Sequence, residues 1–278
     1  MKKFSLCAFA DEAGDSLAEQ IAAMKENGIS YLEIRNVDKQ NISDITADKA
    51  KAIKSELSKN GLSVFSIGSP IGKIGIEDDF EPHLEKFKAT LETADILGAK
   101  VFRLFSFYID KEKNADDFTE KVLERMNKFV LAAKNSDVVL CHENEKGIFG
   151  DVPKRCEIIH KNIPQLKAVF DPANFVQCGV ETLSAFDMLS PYIHYMHIKD
   201  STADGTVVPS GKGIGNIAEL LKKYQGEILT LEPHLYEFSG LKNLEQEGET
   251  SGILQIYNNN REAFDAGVNA LKNILKGE

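Results

Sequence analysis

Cysteine, basic residues and long apolar runs are all scarce in this sequence. The 278-residue chain has four cysteines and no Cys-x-x-Cys pair, so a zinc knuckle or a thioredoxin-like redox site is not indicated. A membrane-spanning helix needs roughly 18 or more consecutive apolar residues, and no such run is present. The apolar stretch behind the first lysines is too short for a usual secretory signal. We therefore expect a cytoplasmic protein without a membrane partner.

The low number of basic residues argues against binding of nucleic acid. The chain has 33 Lys and Arg against 43 Asp and Glu, a net charge of −10, and no basic run that would build a groove. An acidic surface repels phosphate backbones and anionic lipid. We therefore expect no nucleic-acid partner. Hydrophobic residues make up 42% and charged residues 27%, which is a normal globular composition.

What the sequence does contain is a regular alternation of apolar runs and helical patterns. Eight apolar runs span residues 4–10, 31–35, 62–68, 100–107, 138–144, 166–172, 193–200 and 227–233. Helical patterns follow them, from Ser16 to an Asn27-Gly28 stop and near residues 47–60, 78–98, 116–135, 152–162, 182–189, 217–224 and 260–275. Eight β-then-α units of this total length predict an α/β fold, a (β/α)8 TIM barrel, as a single domain of residues 1–278.

A doubly wound open sheet is the alternative fold. It is disfavoured because its glycine-rich turn is missing after the first strand. Two loops of the predicted barrel stand out. Residues 236–258 form a long loop after the eighth strand, which we expect to cover the site. Residues 210–215, SGKGIG, lack the Lys-Ser/Thr of a phosphate-binding P-loop and are predicted to be a lid or substrate loop.

Polar residues lie near the carboxyl ends of the predicted strands, where a closed barrel builds its active site. Four of them come from successive strands, five to eight, about one βα unit apart: Glu143, Asp171, His197 and Glu232. Three carboxylates and one imidazole suit Mn²⁺ or Mg²⁺ best, and Co²⁺ or Zn²⁺ also fit. An ordinary rim of ion pairs explains any one of them, but explains four in phase less well. We therefore predict one divalent metal ion, with Mn²⁺ as the first choice.

Other polar residues at the same strand ends are candidates for contacts with substrate hydroxyl or phosphate groups. Structural ion pairing at the rim is the competing explanation for each. Asp200 is a candidate to orient His197 or Lys199. The candidates for substrate binding are Glu33, Arg35, Arg103, His142, Asn144, Lys199 and His234.

Five segments of the sequence resemble the xylose-isomerase-like TIM-barrel superfamily, in particular its sugar-phosphate isomerase/epimerase and ketose 3-epimerase branch. The resemblance implies that the four predicted ligands hold the metal, and that Glu143 and Glu232 also transfer protons. It places a substrate contact three residues after Asp171, where Asn174 replaces the histidine usual in the epimerases. The segments are HENEKGIFGD (142–151), FDPANF (170–175), MHIKD (196–200), VPSGKGIGNI (208–217) and LEPH (231–234).

The activity that this resemblance implies is isomerisation or epimerisation of a sugar or sugar phosphate. A carboxylate would remove a proton next to a carbonyl that the metal ion polarises. An inosose-dehydratase-type lyase and a sugar-binding barrel without turnover are the open alternatives. An AP-site endonuclease is disfavoured, because it needs three metals, more histidines than the six present and a basic DNA surface. Homo-oligomerisation, the sugar and its phosphorylation stay open.

Overall fold

Eight parallel strands form a closed barrel in the computed structural model, which describes residues 3–239, 252–254 and 256–277. The strands are β1 (Ser5–Ala8), β2 (Tyr31–Ile34), β3 (Ser63–Gly68), β4 (Val101–Leu104), β5 (Val139–Glu143), β6 (Lys167–Phe170), β7 (Ile193–Ile198) and β8 (Ile228–Leu231). Because β1 pairs with both β2 and β8, the sheet has no edge. This closure confirms the (β/α)8 barrel and excludes the doubly wound sheet.

Helices surround the barrel in the predicted alternation. They are α1 (Leu17–Glu26), α2 (Ala47–Lys59), α3 (Glu81–Leu97), α4 (Thr119–Ala132), α5 (Pro153–Asn162), α6 (Pro172–Gln177), α7 (Thr182–Leu189), α8 (Ile217–Lys223) and α9 (Asn260–Lys276). The short helix α6 was not predicted, and the sixth strand ends at Phe170 instead of residue 172. Asp171 caps α6 and Pro172 opens it, because proline fits the first helical position but cannot continue a strand ladder.

Local sequence signals explain where α1 begins and where α3 ends. Ser16 and Glu19 form a reciprocal capping box at the start of α1, which satisfies two amides that the helix leaves free. Gly98 ends α3 with a φ of 75°, a left-handed conformation that costs glycine little. The predicted start at Ser16 and the predicted stop at Gly98 are both confirmed.

The seventh strand is shorter than predicted. β7 ends at Ile198, and the chain then leaves the barrel to form a small antiparallel pair between Asp200–Ser201 and Val207–Val208. A second such pair joins Asn36–Val37 to Gln40–Asn41 after β2. Of the long loop predicted over residues 236–258, residues 240–251 and 255 lie outside the described residues. The single domain of residues 1–278 stays a prediction.

The barrel interior is apolar in its lower layer and charged in the layer above. Val101, Cys141, Val169 and Tyr195 form an apolar cluster separate from the main core between strands and helices. Successive side chains alternate between the two faces of a strand, so the residue two positions further along points the same way. That layer holds Arg103, Glu143, Asp171 and His197. No helix in the described part of the chain is long and apolar enough to cross a membrane.

Candidate metal centre

The four residues predicted as metal ligands lie together at the carboxyl ends of four adjacent strands. One ligand atom from each of Glu143, Asp171, His197 and Glu232 lies within 4.8 Å of the others, and all four side chains are buried. Glu143 ends β5, and His197 is the penultimate residue of β7. Asp171 and Glu232 follow directly after β6 and β8. The parallel register therefore brings four distant parts of the sequence to one point.

Asp171 is held in place by two asparagines. The Asn144 side chain donates to the Asp171 carbonyl at 2.8 Å and accepts from the Asp171 amide at 2.9 Å. The Asn174 amide donates to Asp171 Oδ1 at 2.9 Å, and the Asn174 side chain donates to the Asn144 carbonyl at 2.9 Å. One carboxylate oxygen of Asp171 is thus used by the cap of α6. The other, Oδ2, has no hydrogen-bond partner among the described residues.

His197 lies between carboxylates on both sides of its ring. Its Nε2 lies 3.1 Å from Glu33 Oε2, and its Nδ1 lies 2.9 Å from Glu143 Oε1 and 3.0 Å from Glu232 Oε2. Carboxylate oxygens only accept hydrogen bonds when ionised. A proton or a metal ion must therefore separate Nδ1 from Glu143 and Glu232.

The donor set fits a divalent cation. If Nε2 carries the proton that Glu33 accepts, a tautomer assigned from its neighbours, the lone pair of Nδ1 faces the carboxylates. Asp171 Oδ2 lies 3.9 Å from this nitrogen and lacks a hydrogen bond. An imidazole nitrogen and three carboxylates make an oxygen-rich ligand set that divalent first-row metals and Mg²⁺ accept.

Glu33 is fully buried behind His197. Besides the histidine, it accepts hydrogen bonds from the Tyr195 hydroxyl at 2.7 Å and from Ser66 Oγ at 3.2 Å. Its carboxylate is therefore directed by three neighbours toward the far side of the imidazole. Phe9 adds an edge-to-face contact with the same ring at 5.3 Å, so it forms part of the wall of the site.

Arg103 and Lys199 are two of the cations that contact the ligand carboxylates. Arg103 Nη1 donates to Glu143 Oε2 at 2.6 Å, and Lys199 Nζ lies 2.9 Å from Asp171 Oδ2 without hydrogen-bond geometry and 3.4 Å from Glu232 Oε2. Burial alone would raise the pKa of Glu143, but His197 and Arg103 lower it to about 2. Burial raises the pKa of Asp171 to about 6, with Lys199 opposing this shift.

The carboxylates of the cluster also affect its histidine. Burial would lower the pKa of His197, but the carboxylates of Glu143, Glu33 and Glu232 raise it well above its usual range. The three carboxylates therefore favour positive charge at the imidazole, either a second proton or a cation at Nδ1. A metal ion at Nδ1 would replace that proton, because a histidine must be neutral to bind a metal.

A second group of candidate ligands shares Glu232 with the first. Ligand atoms of Glu12, Glu232 and His234 also lie within 4.8 Å of one another. Arg35 already fills this group: its guanidinium lies 2.9 Å from Glu232 Oε1, 3.2 Å from Glu12 Oε1 and 3.4 Å from His234 Nε2. Asp11 holds the other edge of Arg35 at 2.8 and 3.0 Å. A guanidinium thus supplies the positive charge in this second group.

Two sequence-predicted residues are not brought to the cluster. His142 points to the opposite face from its neighbour Glu143, where its Nε2 lies 2.9 Å from Ser106 Oγ and its ring packs on His160 of α5. The alternation of side chains along β5 explains this separation. Among the described residues, the Asp200 side chain forms no hydrogen bond or ion pair with His197 or Lys199.

The carboxylate of Asp200 binds the glycine-rich loop instead. Its Oδ2 accepts from the amides of Gly211 at 2.8 Å and Gly213 at 3.1 Å, and its Oδ1 accepts from those of Gly215 and Ser201 at 2.9 Å. A Cβ on Gly213 would lie 2.4 Å from Asp200 Oδ1, so only glycine permits this approach. The amides of the predicted substrate loop are therefore occupied by an internal anion.

Sequence reasoning missed several residues that shape the site. Asp11 and Glu12 directly follow the first apolar run, so the rule that selected the other strand ends would also have selected them. Tyr195 lies two residues before His197 and therefore on the same face of β7. Ser66 carried no signal, because a serine within a strand is common.

Comparison with known proteins agrees with the closed barrel. The model of the family described as Xylose isomerase-like TIM barrel matches residues 21–268. The chain therefore belongs to this family. A search of curated proteins gives no match.

Solved structures with the same fold span nearly the whole chain. A structure of the IOLI protein with a binding zinc atom has a TM-score of 0.75 and 14% identity, covering 98% of this chain and 98% of that one. The probable 3-DHS dehydratase AsbF of Bacillus anthracis has a TM-score of 0.73 and 18% identity, covering 98% and 99%. A D-tagatose 3-epimerase-like protein has a TM-score of 0.73 and 16% identity, covering 98% and 97%.

Proposed function

We propose that this protein is an isomerase or epimerase of carbohydrate metabolism that uses one divalent metal ion, with Mn²⁺ as the first choice. The observation that carries the proposal is the position of His197 Nδ1, 2.9 and 3.0 Å from the carboxylates of Glu143 and Glu232. Asp171 completes the ligand set. The ion would supply Lewis-acid stabilisation of the negative charge that forms when a carbon next to a carbonyl loses its proton.

Glu143 and Glu232 are the acid–base pair in this proposal. They approach the imidazole from β5 and β8, so a substrate carbon bound between them would have a carboxylate on each side. One carboxylate removes the proton and the other returns it. Return to the opposite face of the same carbon gives an epimer, and return to the neighbouring carbon gives an isomer.

We assign Glu33 a different role from the substrate contact that the sequence predicted. Its carboxylate oxygens face His197, Tyr195 and Ser66. The Glu33 side chain is therefore directed at the candidate metal ligand His197. As acceptor for Nε2–H it would keep the Nδ1 lone pair toward the ion. Glu33 is therefore proposed as a positioning residue.

The other residues that the sequence predicted as substrate contacts also fall into two groups, those with a structural partner and those that stay candidates for substrate contact. Arg103, Asn144 and Asn174 hold the ligand residues, and His142 faces α5. Arg35 bridges three carboxylates. Lys199 and His234, which touch Glu232 from two sides, stay our candidates for contact with substrate oxygens.

The test is solvent deuterium incorporation into ketoses, ketose phosphates and inososes with added Mn²⁺. We expect exchange that a chelator abolishes, and a loss of about 10²–10⁴-fold in Glu143→Gln and Glu232→Gln, the range for general acid–base groups. Glu120→Gln, an exposed carboxylate on α4, is the matched control and should keep full activity. Normal exchange in either site variant, or full activity with chelator, would reject the proposal.

A dehydratase is the second candidate function. It is suggested by the similar structure of AsbF, which is described as a probable 3-DHS dehydratase. It would begin with the same proton abstraction and then expel a hydroxyl group. The same incubations separate the two activities, because loss of water changes the product mass whereas isomerisation does not. Sugar binding with no exchange would indicate a barrel without turnover. A cytoplasmic location and homo-oligomerisation stay predictions.

A further inference from the structure

We propose that Phe9 is a positioning residue that sets Glu143 and Glu232 through two buried arginines. The inference rests on the proposed function, in which these glutamates are the acid–base pair. The observation behind it is a chain of contacts between the two glutamates, which runs through Arg103, Phe9 and Arg35.

The two oxygens of each glutamate have different neighbours. Arg35 Nη1 lies 2.9 Å from Glu232 Oε1, whereas Glu232 Oε2 lies 3.0 Å from His197 Nδ1. Arg103 Nη1 donates to Glu143 Oε2 at 2.6 Å, and Glu143 Oε1 lies 2.9 Å from the same imidazole nitrogen. Because both oxygens belong to one planar group, a contact at one oxygen constrains the direction of the other. Each arginine therefore directs the free oxygen of its glutamate toward His197.

Phe9 lies against both guanidinium groups. Its ring centroid is 4.3 Å from Arg35 Cζ and 5.6 Å from Arg103 Cζ, within the distance at which a guanidinium and an aromatic face attract each other. The attraction is stronger in a desolvated site, and the Phe9 ring is fully buried. Phe238 adds a second ring to Arg35 at 4.6 Å, and Phe105 adds one to Arg103 at 4.5 Å. Phe9 is thus the ring that the two arginines share.

The position of Phe9 is itself fixed by close packing. A Cβ on Gly68, the last residue of β3, would lie 2.5 Å from Phe9 Cε1 and 3.2 Å from Arg103 Nη2. The ring and the guanidinium can approach this strand end because glycine has no side chain. On another side, the ring meets the His197 imidazole edge to face. A phenyl ring held in this way can in turn hold the arginines that stack on it.

The two arginines differ in the number of polar contacts that hold them. Asp11 accepts from Nε and Nη2 of Arg35 at 2.8 and 3.0 Å. The same two nitrogens of Arg103 have no hydrogen-bond partner among the described residues. The orientation of Arg103 therefore depends more on its aromatic neighbours. We expect loss of the Phe9 ring to have its largest effect at Glu143, the glutamate that Arg103 holds.

The first experiment observes the two glutamates directly in chelator-treated protein. Glutamate is labelled with carbon-13 at its side-chain carboxyl, and the NMR signals of Glu143 and Glu232 are assigned with the Gln variants. Phe9→Leu removes the aromatic face, and a trifluorinated phenylalanine at the same position weakens the ring quadrupole at nearly constant shape. We expect both replacements to shift both signals, that of Glu143 more. Phe87→Leu, at a fully buried ring on α3, is the matched control and should shift neither.

The second experiment is a double-mutant cycle on Mn²⁺ affinity, measured by calorimetric titration. Phe9→Leu and Arg103→Lys should each weaken binding by about 10–100-fold, the range for residues that orient metal ligands. Two residues that act independently give losses that multiply. If Phe9 acts through Arg103, the double variant should lose clearly less affinity than that product. Phe87→Leu should bind Mn²⁺ as the parent does.

Unshifted carboxyl signals in Phe9→Leu, or losses that multiply fully in the cycle, would overturn the inference. Parent-like signals in the fluorinated protein would also contradict it, because the volume of the ring and not its charge distribution would then matter. If the parent exchanges no sugar proton or binds no Mn²⁺, the proposed function fails. The carboxyl signals alone then decide this inference: shifts support it, and their absence contradicts it.

Discussion

Asp171 and Asp200 are both buried aspartates just beyond barrel strands, but their surroundings are opposite. Asp200 uses both oxygens to accept four backbone amides. Asp171 uses one oxygen for the cap of α6, and its Oδ2 accepts no hydrogen bond but lies 2.9 Å from Lys199 Nζ, beside a histidine and close to two other carboxylates. A saturated carboxylate stabilises a loop, whereas an unsaturated one among like charges indicates a cation site.

The largest expected effect is the loss of metal affinity on substitution of Asp171 itself. We expect Asp171→Asn to lower Mn²⁺ affinity by more than about 100-fold, beyond the 10–100-fold typical of outer-shell partners, because it removes a ligand charge. Calorimetric titration measures the effect. Asp200→Asn is the matched control and should bind the ion as the parent does. Equal Mn²⁺ affinities in the two variants would contradict the assignment of Asp171, and not Asp200, as a metal ligand.

A smaller effect is expected one contact away from the ion. Glu33→Gln should weaken Mn²⁺ binding by about 10–100-fold, because a neutral amide is a weaker acceptor for His197 Nε2–H. Tyr195→Phe removes only one of the hydrogen bonds to Glu33. Its Mn²⁺ affinity should therefore lie between those of Glu33→Gln and the parent. Unchanged affinity in Glu33→Gln would show that the carboxylate does not act through the histidine.

The smallest effect belongs to Asp200 and concerns stability alone. Asp200→Asn should lower the free energy of unfolding by about 1–3 kcal/mol, the cost of leaving buried donors poorly paired. Denaturant unfolding measures this value, and metal affinity should stay constant. Gly213→Ala should act in the same direction, since its Cβ would lie 2.4 Å from Asp200 Oδ1. A stable Asp200→Asn with impaired metal binding would contradict the loop assignment.

Local periodicity made the barrel predictable. Each strand–helix unit has its own apolar run, and the first three helices also have a glycine stop signal at Gly28, Gly61 and Gly98, all with positive φ. Helix α6 escaped prediction because Asp-Pro after an apolar run is compatible with the end of a strand. Whether Asp171 would act as a cap was not decidable from its neighbours in sequence.

Contacts across the barrel were less accessible from the sequence. The contact between Glu33 and His197 joins β2 to β7. The two residues are 164 positions apart in the sequence, and no pattern within either strand encodes their contact. The four candidate ligands were predictable because each follows the same local rule at its own strand end. Their role as metal ligands stays a prediction, as does every assigned substrate contact.

Barrel closure has a consequence for the order of folding. Glu232 follows β8, and its partner Arg35 lies 197 residues earlier in the chain, so the carboxylate cluster is incomplete until β8 joins β1. Closing so long a loop costs entropy before any contact repays it. An ion that binds only the closed barrel would stabilise it by mass action. We therefore expect metal supply during refolding to slow the reopening of the β1–β8 seam.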